Sequence, residues 1–314
     1  MLLAGGATAV ALALAELADW VPPLVVCVLL GILLANLGLL PTAARPGLSV
    51  ASGTLLRAGV VLLGFDLAFP DVLQLGAKAL AVVVAVVALT FAGTLWAGRR
   101  LGVPDDLALL TAVGFSICGV SAIAAANGAV DADEDEVAYA VALVTLCGTL
   151  AIVTLPLLRE PLGLDAEAYG AWIGASVHDV GQVVATSSTA GAAALATAIV
   201  VKLTRVMLLA PLVGGLAFAR GRRLRLRGAA VVPGFLLLFV AAIGVASLGV
   251  LPDRAVDGLD DLRTVLFGAA LFAIGTRVRL RRLAELGPRP LTLGLASWLL
   301  IALTAYAGVR LAWM

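Results

Sequence analysis

The apolar runs of this chain are its strongest constraint. Stretches of about twenty residues with few or no charges succeed one another along the sequence, and that is the length an α-helix needs to cross the hydrocarbon core of a bilayer. On that ruler about eleven candidate spans can be drawn, at approximately 1–18, 23–40, 49–67, 77–97, 105–127, 137–157, 168–189, 192–219, 230–250, 262–277 and 291–312. The runs are continuous rather than alternating, which argues against the strands of a membrane barrel. No stretch between them is long enough for a separate soluble domain. The expectation is an all-α polytopic membrane protein with a single transmembrane domain over 1–314. Composition agrees: 62% of residues are hydrophobic and 13% charged, against about 25% charged in soluble domains, and mean hydropathy is +1.11. A soluble globule has no way to hide that much apolar surface. The 34 glycines, with abundant Ala and Val, suit helices that approach closely.

The charged residues sort by side. Arg45, Arg99 with Arg100, Arg220 to Arg227 and Arg277 to Arg289 fall on one side of an eleven-helix threading, whereas Asp66 with Asp71, the DADEDE run Asp131 to Glu136, and Asp253 to Asp261 fall on the other. The positive-inside rule then places the N-terminus in the cytoplasm and the C-terminus outside an inner membrane. DADEDE reads as a solvated external loop, because it lacks the glycine turn and ligand alternation of an EF-hand. A net charge of +1 argues against electrostatic capture of nucleic acid. Cys27, Cys118 and Cys147 lie far apart inside apolar runs, in no disulfide or zinc pattern. No Walker-type loop is present and no cofactor is expected. Met1 to Leu17 has no basic leader and reads as a short first helix rather than a cleaved signal.

An internal echo joins LLRAGVVLLGFDLAF at 55–69 to KLTRVMLLAPLVGGLAF at 202–218, an offset of five spans. An odd offset inverts the second copy, giving expected inverted repeats over 23–160 and 164–314 with 1–18 as an extra helix; inverted repeats are a mark of secondary transporters.

Chemistry must lie where polar groups interrupt the apolar runs, because an ionisable group at mid-membrane costs about 2.5–3.5 kcal/mol on insertion scales. Gly114 to Asn127 (GFSICGVSAIAAAN) gathers Ser116, Gly119 and Ser121 around Cys118. It suits an interrupted helix offering backbone amides to a substrate, and equally close packing through small residues. Gly174 to Thr189 (GASVHDVGQVVATSST) holds His178, the one histidine of the chain, beside Asp179. Spacing by four puts Gly174, His178 and Gln182 on one helical face, and a His–Asp pair suits proton coupling. Lys202 and Arg205 share a face deep in a long apolar span and point to an anion site, or to internal pairing with Asp179 or Asp66. Arg57 matches Arg205 in the echo and either reaches the same cavity or snorkels to the interface.

SICGVSAIAAAN, GASVHDVGQVVA and VKLTRVMLLAP, in that order, resemble the YeiH family of bacterial inner-membrane proteins, a family labelled as sulfate exporters. The resemblance covers nearly the whole chain, and the three motifs together are far more specific than any one. It implies a plasma-membrane transporter exporting a small anion such as sulfate, with crossed, interrupted helices similar to those of cation/proton antiporters and bile-acid transporters. Its motifs fall here on Ser116, Cys118, Gly119 and Ser121, on His178, Asp179, Gly181 and Gln182, and on Lys202 and Arg205.

The leading expectation is a secondary active anion exporter. Lys202, Arg205 and Arg57 would neutralise the anion, helped by Ser116, Gly119 and Ser121, while His178, Asp179 and Gln182 would serve a coupling proton or sodium ion. The alternative is a cation/proton antiporter with Asp179 as the ion-binding carboxylate. A membrane enzyme using Cys118 and His178 lacks a third orienting group and is not favoured. The expected partners are the anion, the coupling ion and the lipid bilayer, with a homo-oligomer left open.

Overall fold

A computed structural model describes residues 2–17, 22–67, 69–130, 132–220, 234–249, 252–278 and 287–313. Asp19, Trp20, Asp131, Arg222 to Arg227 of the long basic loop, and Arg279 to Glu285 lie outside the described residues, as does the side chain of Asp71.

Every described regular element is helical. α1 (Leu2–Leu17) and α2 (Pro23–Asn36) come first; Pro23 starts α2 at a position where its missing N–H has no intrahelical partner to lose. One continuous but irregular rod follows: α3 (Arg45–Val50), a π turn at Ala51–Leu55, α4 (Leu56–Leu63) and a 3-10 turn at Gly64–Asp66. α5 (Phe69–Leu101) is the longest helix and ends on Arg99 and Arg100, cations suited to the negative end of its dipole. It runs well beyond the expected 77–97. α6 (Asp105–Ser116) and α7 (Val120–Val130) are two halves of one interrupted span. α8 (Glu134–Arg159) comes next, followed by a second interrupted pair, α9 (Ala166–Ser176) and α10 (Val180–Ser187). α11 (Ala192–Met207) and α12 (Leu209–Ala219) are joined end to end, and α13 (Gly234–Ser247), α14 (Asp253–Gly275) and α15 (Pro288–Trp313) complete the chain.

Five helical stretches are long and apolar enough to cross a membrane: Thr42–Asp66, Ala79–Leu101, Glu134–Arg159, Ala192–Ala219 and Pro288–Trp313. Leu3–Leu14, Pro23–Asn36 and Gly234–Ser247 are shorter apolar helices. The interrupted spans are absent from that group because each half is too short alone. The DADEDE run is less of a loop than expected. Its Asp133 caps α8 in a reciprocal box with Glu136, and Glu134 to Glu136 form the first turn, where carboxylates meet the positive end of the dipole.

The helices sort into two packed groups. In the first, α14 lies against α1, α2 and the α3–α4 rod, and α13 packs on the same rod. In the second, α15 packs on α5, α6 and α8, and α6 packs on α5 and α8, while α9, α10 and α11 pack on one another and on α15, α8 and α5. Close approach is made by small residues. A Cβ on Gly31 would strike the backbone of Phe272, and one on Gly275 the backbone of Val28, which fixes the α2–α14 crossing. Within the second group, Gly170 and Gly174 of α9 face the carbonyls of Ala194 and Ala198 of α11 in the same way. Asp66 does not pair with Lys202 or Arg205; it forms an ion pair with Arg263 of α14, which also meets Asp260.

Candidate functional site

Both polar motifs turn out to be breaks in helices. α6 ends at Ser116, Gly119 takes φ +70°, a backbone region that favours glycine, and α7 starts at Val120. α9 ends at Ser176, the chain extends through Val177, and Asp179 starts α10 as its cap. Each break exposes the carbonyl end of one half-helix and the amide end of the other. The expected face shared by Gly174, His178 and Gln182 is therefore interrupted: helical periodicity does not carry through the extended residues 177–179.

Lys202 and Arg205 are fully buried and converge on the carbonyl ends of both breaks. Lys202 Nζ donates to Ile117 O at 2.8 Å and to Val177 O at 2.9 Å. Arg205 Nε donates to Ser116 O at 3.2 Å and Nη2 to Phe115 O at 3.0 Å. Its Nη1 serves Gly174 O at 3.2 Å, Ala175 O at 2.7 Å and Val177 O at 3.0 Å. Burying a cation costs several kcal/mol even after relaxation. Here the cost is offset by charge-assisted bonds and by the partial negative charge, about half an electron, at the end of each of α6 and α9. Both cations, expected to face an anion or a carboxylate, meet backbone carbonyl oxygen.

The amide ends face elsewhere. A cavity of about 600 Å³ opens between the two helix groups. The second group lines it with Cys118, Val120, Ser121 and Ala125 at the first break, Asp179 and Val180 at the other, and Val206 and Leu209 at the α11–α12 joint. The first group contributes Ser52, Gly53, Leu56, Arg57 and Val60 from the rod, Gly234 and Phe235 from α13, and Arg277. Arg57 is exposed to this space and lies over the Phe235 ring, 5.9 Å from its centroid, and Arg277 donates to Ser52 Oγ.

The two amide ends differ. Asp179 neutralises its own: its carboxylate accepts from Gly181 N at 2.8 Å, and its backbone N–H donates to Gln182 Oε1 at 3.0 Å. α7 has no acidic residue in its first turn, so its leading N–H groups, at Val120 and Ser121, keep their partial positive charge beside the cavity.

Of the expected site residues, Arg57, Ser121 and Asp179 line the cavity. Ser116, Gly119, His178 and Gln182 are buried at the breaks behind it. The His178 ring packs edge-on to Phe115, 4.5 Å between centroids. Ser52 and Arg277 were not anticipated. Arg277 looked like one more basic loop residue, and its signal was position alone, directly after the apolar run ending at Gly275 and Thr276. The three cysteines are buried and form no disulfide, and among the described residues no His, Cys, Asp and Glu cluster could hold a metal.

Comparison with known proteins agrees with the membrane architecture. A family profile described as "Conserved hypothetical protein 698" matches residues 1–294. The chain is 41% identical to a UPF0324 membrane protein of Corynebacterium glutamicum, over 99% of this chain and 91% of that one. It is 35% identical to a UPF0324 membrane protein of Agrobacterium fabrum, covering 93% and 85%, and 32% identical to one of Bacteroides thetaiotaomicron, covering 92% and 89%. No solved structure matches. The chain is a multi-pass membrane protein, and it belongs to the UPF0324 family, which is the YeiH family its motifs resemble.

Proposed function

We propose that this protein is a secondary active transporter of the bacterial inner membrane that exports a small anion by alternating access between its two helix groups. The observation that carries the reading is the cavity between those groups. There Arg57 and Arg277 on one side face the amide end of α7, which carries no acidic residue, with Ser121, on the other. Guanidinium groups and helix N-termini are both anion ligands. Lys202 and Arg205 act from behind, holding the carbonyl ends so that the amide ends face the cargo. Ser52, Arg277 and Gly234 lie at the helix ends that carry the basic residues, so the positive-inside rule opens this cavity to the cytoplasm, with the N-terminus inside and the C-terminus outside. An interior-negative potential favours a leaving anion by about 2.3 kcal/mol per charge per 100 mV. In this reading Cys118 and His178 perform no bond chemistry.

A second reading has an observation of its own. Asp179 places a carboxylate on the cavity wall, which suits a cation/proton antiporter with Asp179 as the exchanging group and His178 beside it. Proteoliposomes separate the two. Labelled sulfate or another oxyanion should accumulate by counterflow and do so far less with Arg57→Ala or Arg277→Ala. A sodium- or potassium-dependent pH response that ignores anions, with no counterflow, would replace anion export by antiport.

A further inference from the structure

We infer that the cavity takes an organic anion, an oxyanion head such as sulfonate or carboxylate on a short apolar body, in preference to a bare inorganic oxyanion. Only the word cargo rests on the transport reading; the ligand class is read from the cavity wall.

Three properties of the wall carry this. The first is size: at about 600 Å³ the cavity falls among small-molecule sites, which span about 300–1,000 Å³. A five-atom oxyanion, of a few waters' volume at about 30 Å³ each, fills only a small part of it. The second is division of polarity. The cations are gathered on the first group, where Arg277 reaches Ser52 and Arg57 lies over Phe235. Leu56, Val60, Val180, Val206, Leu209 and Phe235 give the remainder an apolar lining. The third is the placement of Asp179, whose carboxylate lies on the second group. Like-charge repulsion keeps an anionic head away from Asp179 and on the Arg57–Arg277 side, leaving the body to lie along the apolar residues. A bare oxyanion gains nothing from that wall. An alkyl body drives water off it, and each buried methylene should tighten binding about fourfold.

The test is equilibrium binding to the full chain purified in detergent, with sulfate and the series methane-, ethane-, propane- and butanesulfonate as probes. The expected result is affinity rising about fourfold per methylene over the first members, with sulfate weaker than propanesulfonate. Leu209→Asn should flatten the slope across the series. A flat series in the wild-type protein, sulfate binding as tightly as propanesulfonate, or no binding of any of these anions overturns the inference. The transport reading fails separately: graded binding without counterflow in proteoliposomes would leave the ligand class standing and remove the carrier.

Discussion

Lys202 and Arg205 show how much a single side chain can carry in this fold. Arg205 alone serves five carbonyls at the two breaks, four from the ends of α6 and α9 and one from the extended Val177, and none of the five has an intrahelical donor in its place. Orphaning a buried acceptor costs about 1–3 kcal/mol, so Arg205→Met should destabilise by about 3 kcal/mol or more and lower the apparent melting temperature in detergent. Arg57→Met, at an exposed residue, should leave that temperature unchanged while weakening anion binding. Equal melting shifts in the two variants would contradict the division of roles. Asp179 permits a similar separation. Asp179→Asn keeps an acceptor for Gly181 N and so keeps the α10 cap, whereas Asp179→Ala loses about 1 kcal/mol. If this carboxylate exchanges an ion, Asp179→Asn abolishes proton coupling in a protein that melts like wild type.

Among the elements, α9 and α11 decide whether the cations reach the breaks. Gly170 and Gly174 face Ala194 and Ala198, small residues at a spacing of four on both helices, and this lets the backbones meet. A Cβ at Gly174 would strike the Ala198 carbonyl, which belongs to backbone and cannot rotate away. Gly174→Val should therefore push α11 outward, cost about 1–3 kcal/mol, and reduce the folded yield by size-exclusion chromatography. Gly215→Ala on α12 meets nothing within 4 Å and should be neutral in the same assay. The sequence spacing had suggested that Gly174 belongs to a functional face with His178. It lies instead on a packing face, because the helix ends before His178 is reached.

The whole molecule offers one cavity wall to each helix group. Alternating access then predicts that tying the groups together stops transport, whereas tying residues within a group does not. In a background lacking Cys27, Cys118 and Cys147, a short bifunctional linker joining Leu56→Cys to Val206→Cys across the cavity should abolish counterflow. A link between Asn36→Cys and Val278→Cys, whose parent residues already touch within the first group, should leave counterflow intact. Loss of flux in both would argue against motion between the groups.

Membrane residence and the order of helices were determined by the sequence alone, because apolar run length against bilayer thickness is a local property. The breaks were only partly legible: Gly114 to Asn127 suited an interrupted helix and close packing equally, whereas spacing by four made Gly174, His178 and Gln182 read as one continuous face across what is the second break. The echo between Arg57 and Arg205 did not foretell their different surroundings: one lines the cavity and the other is sealed at the breaks. Arg277 was hidden at the start of a run of basic residues. Only the tertiary structure decided which cations face carbonyls and which face open space. Where a side chain ends depends on what a distant helix brings opposite it, and the α9–α11 packing that turns Lys202 and Arg205 onto the breaks has no counterpart in local periodicity.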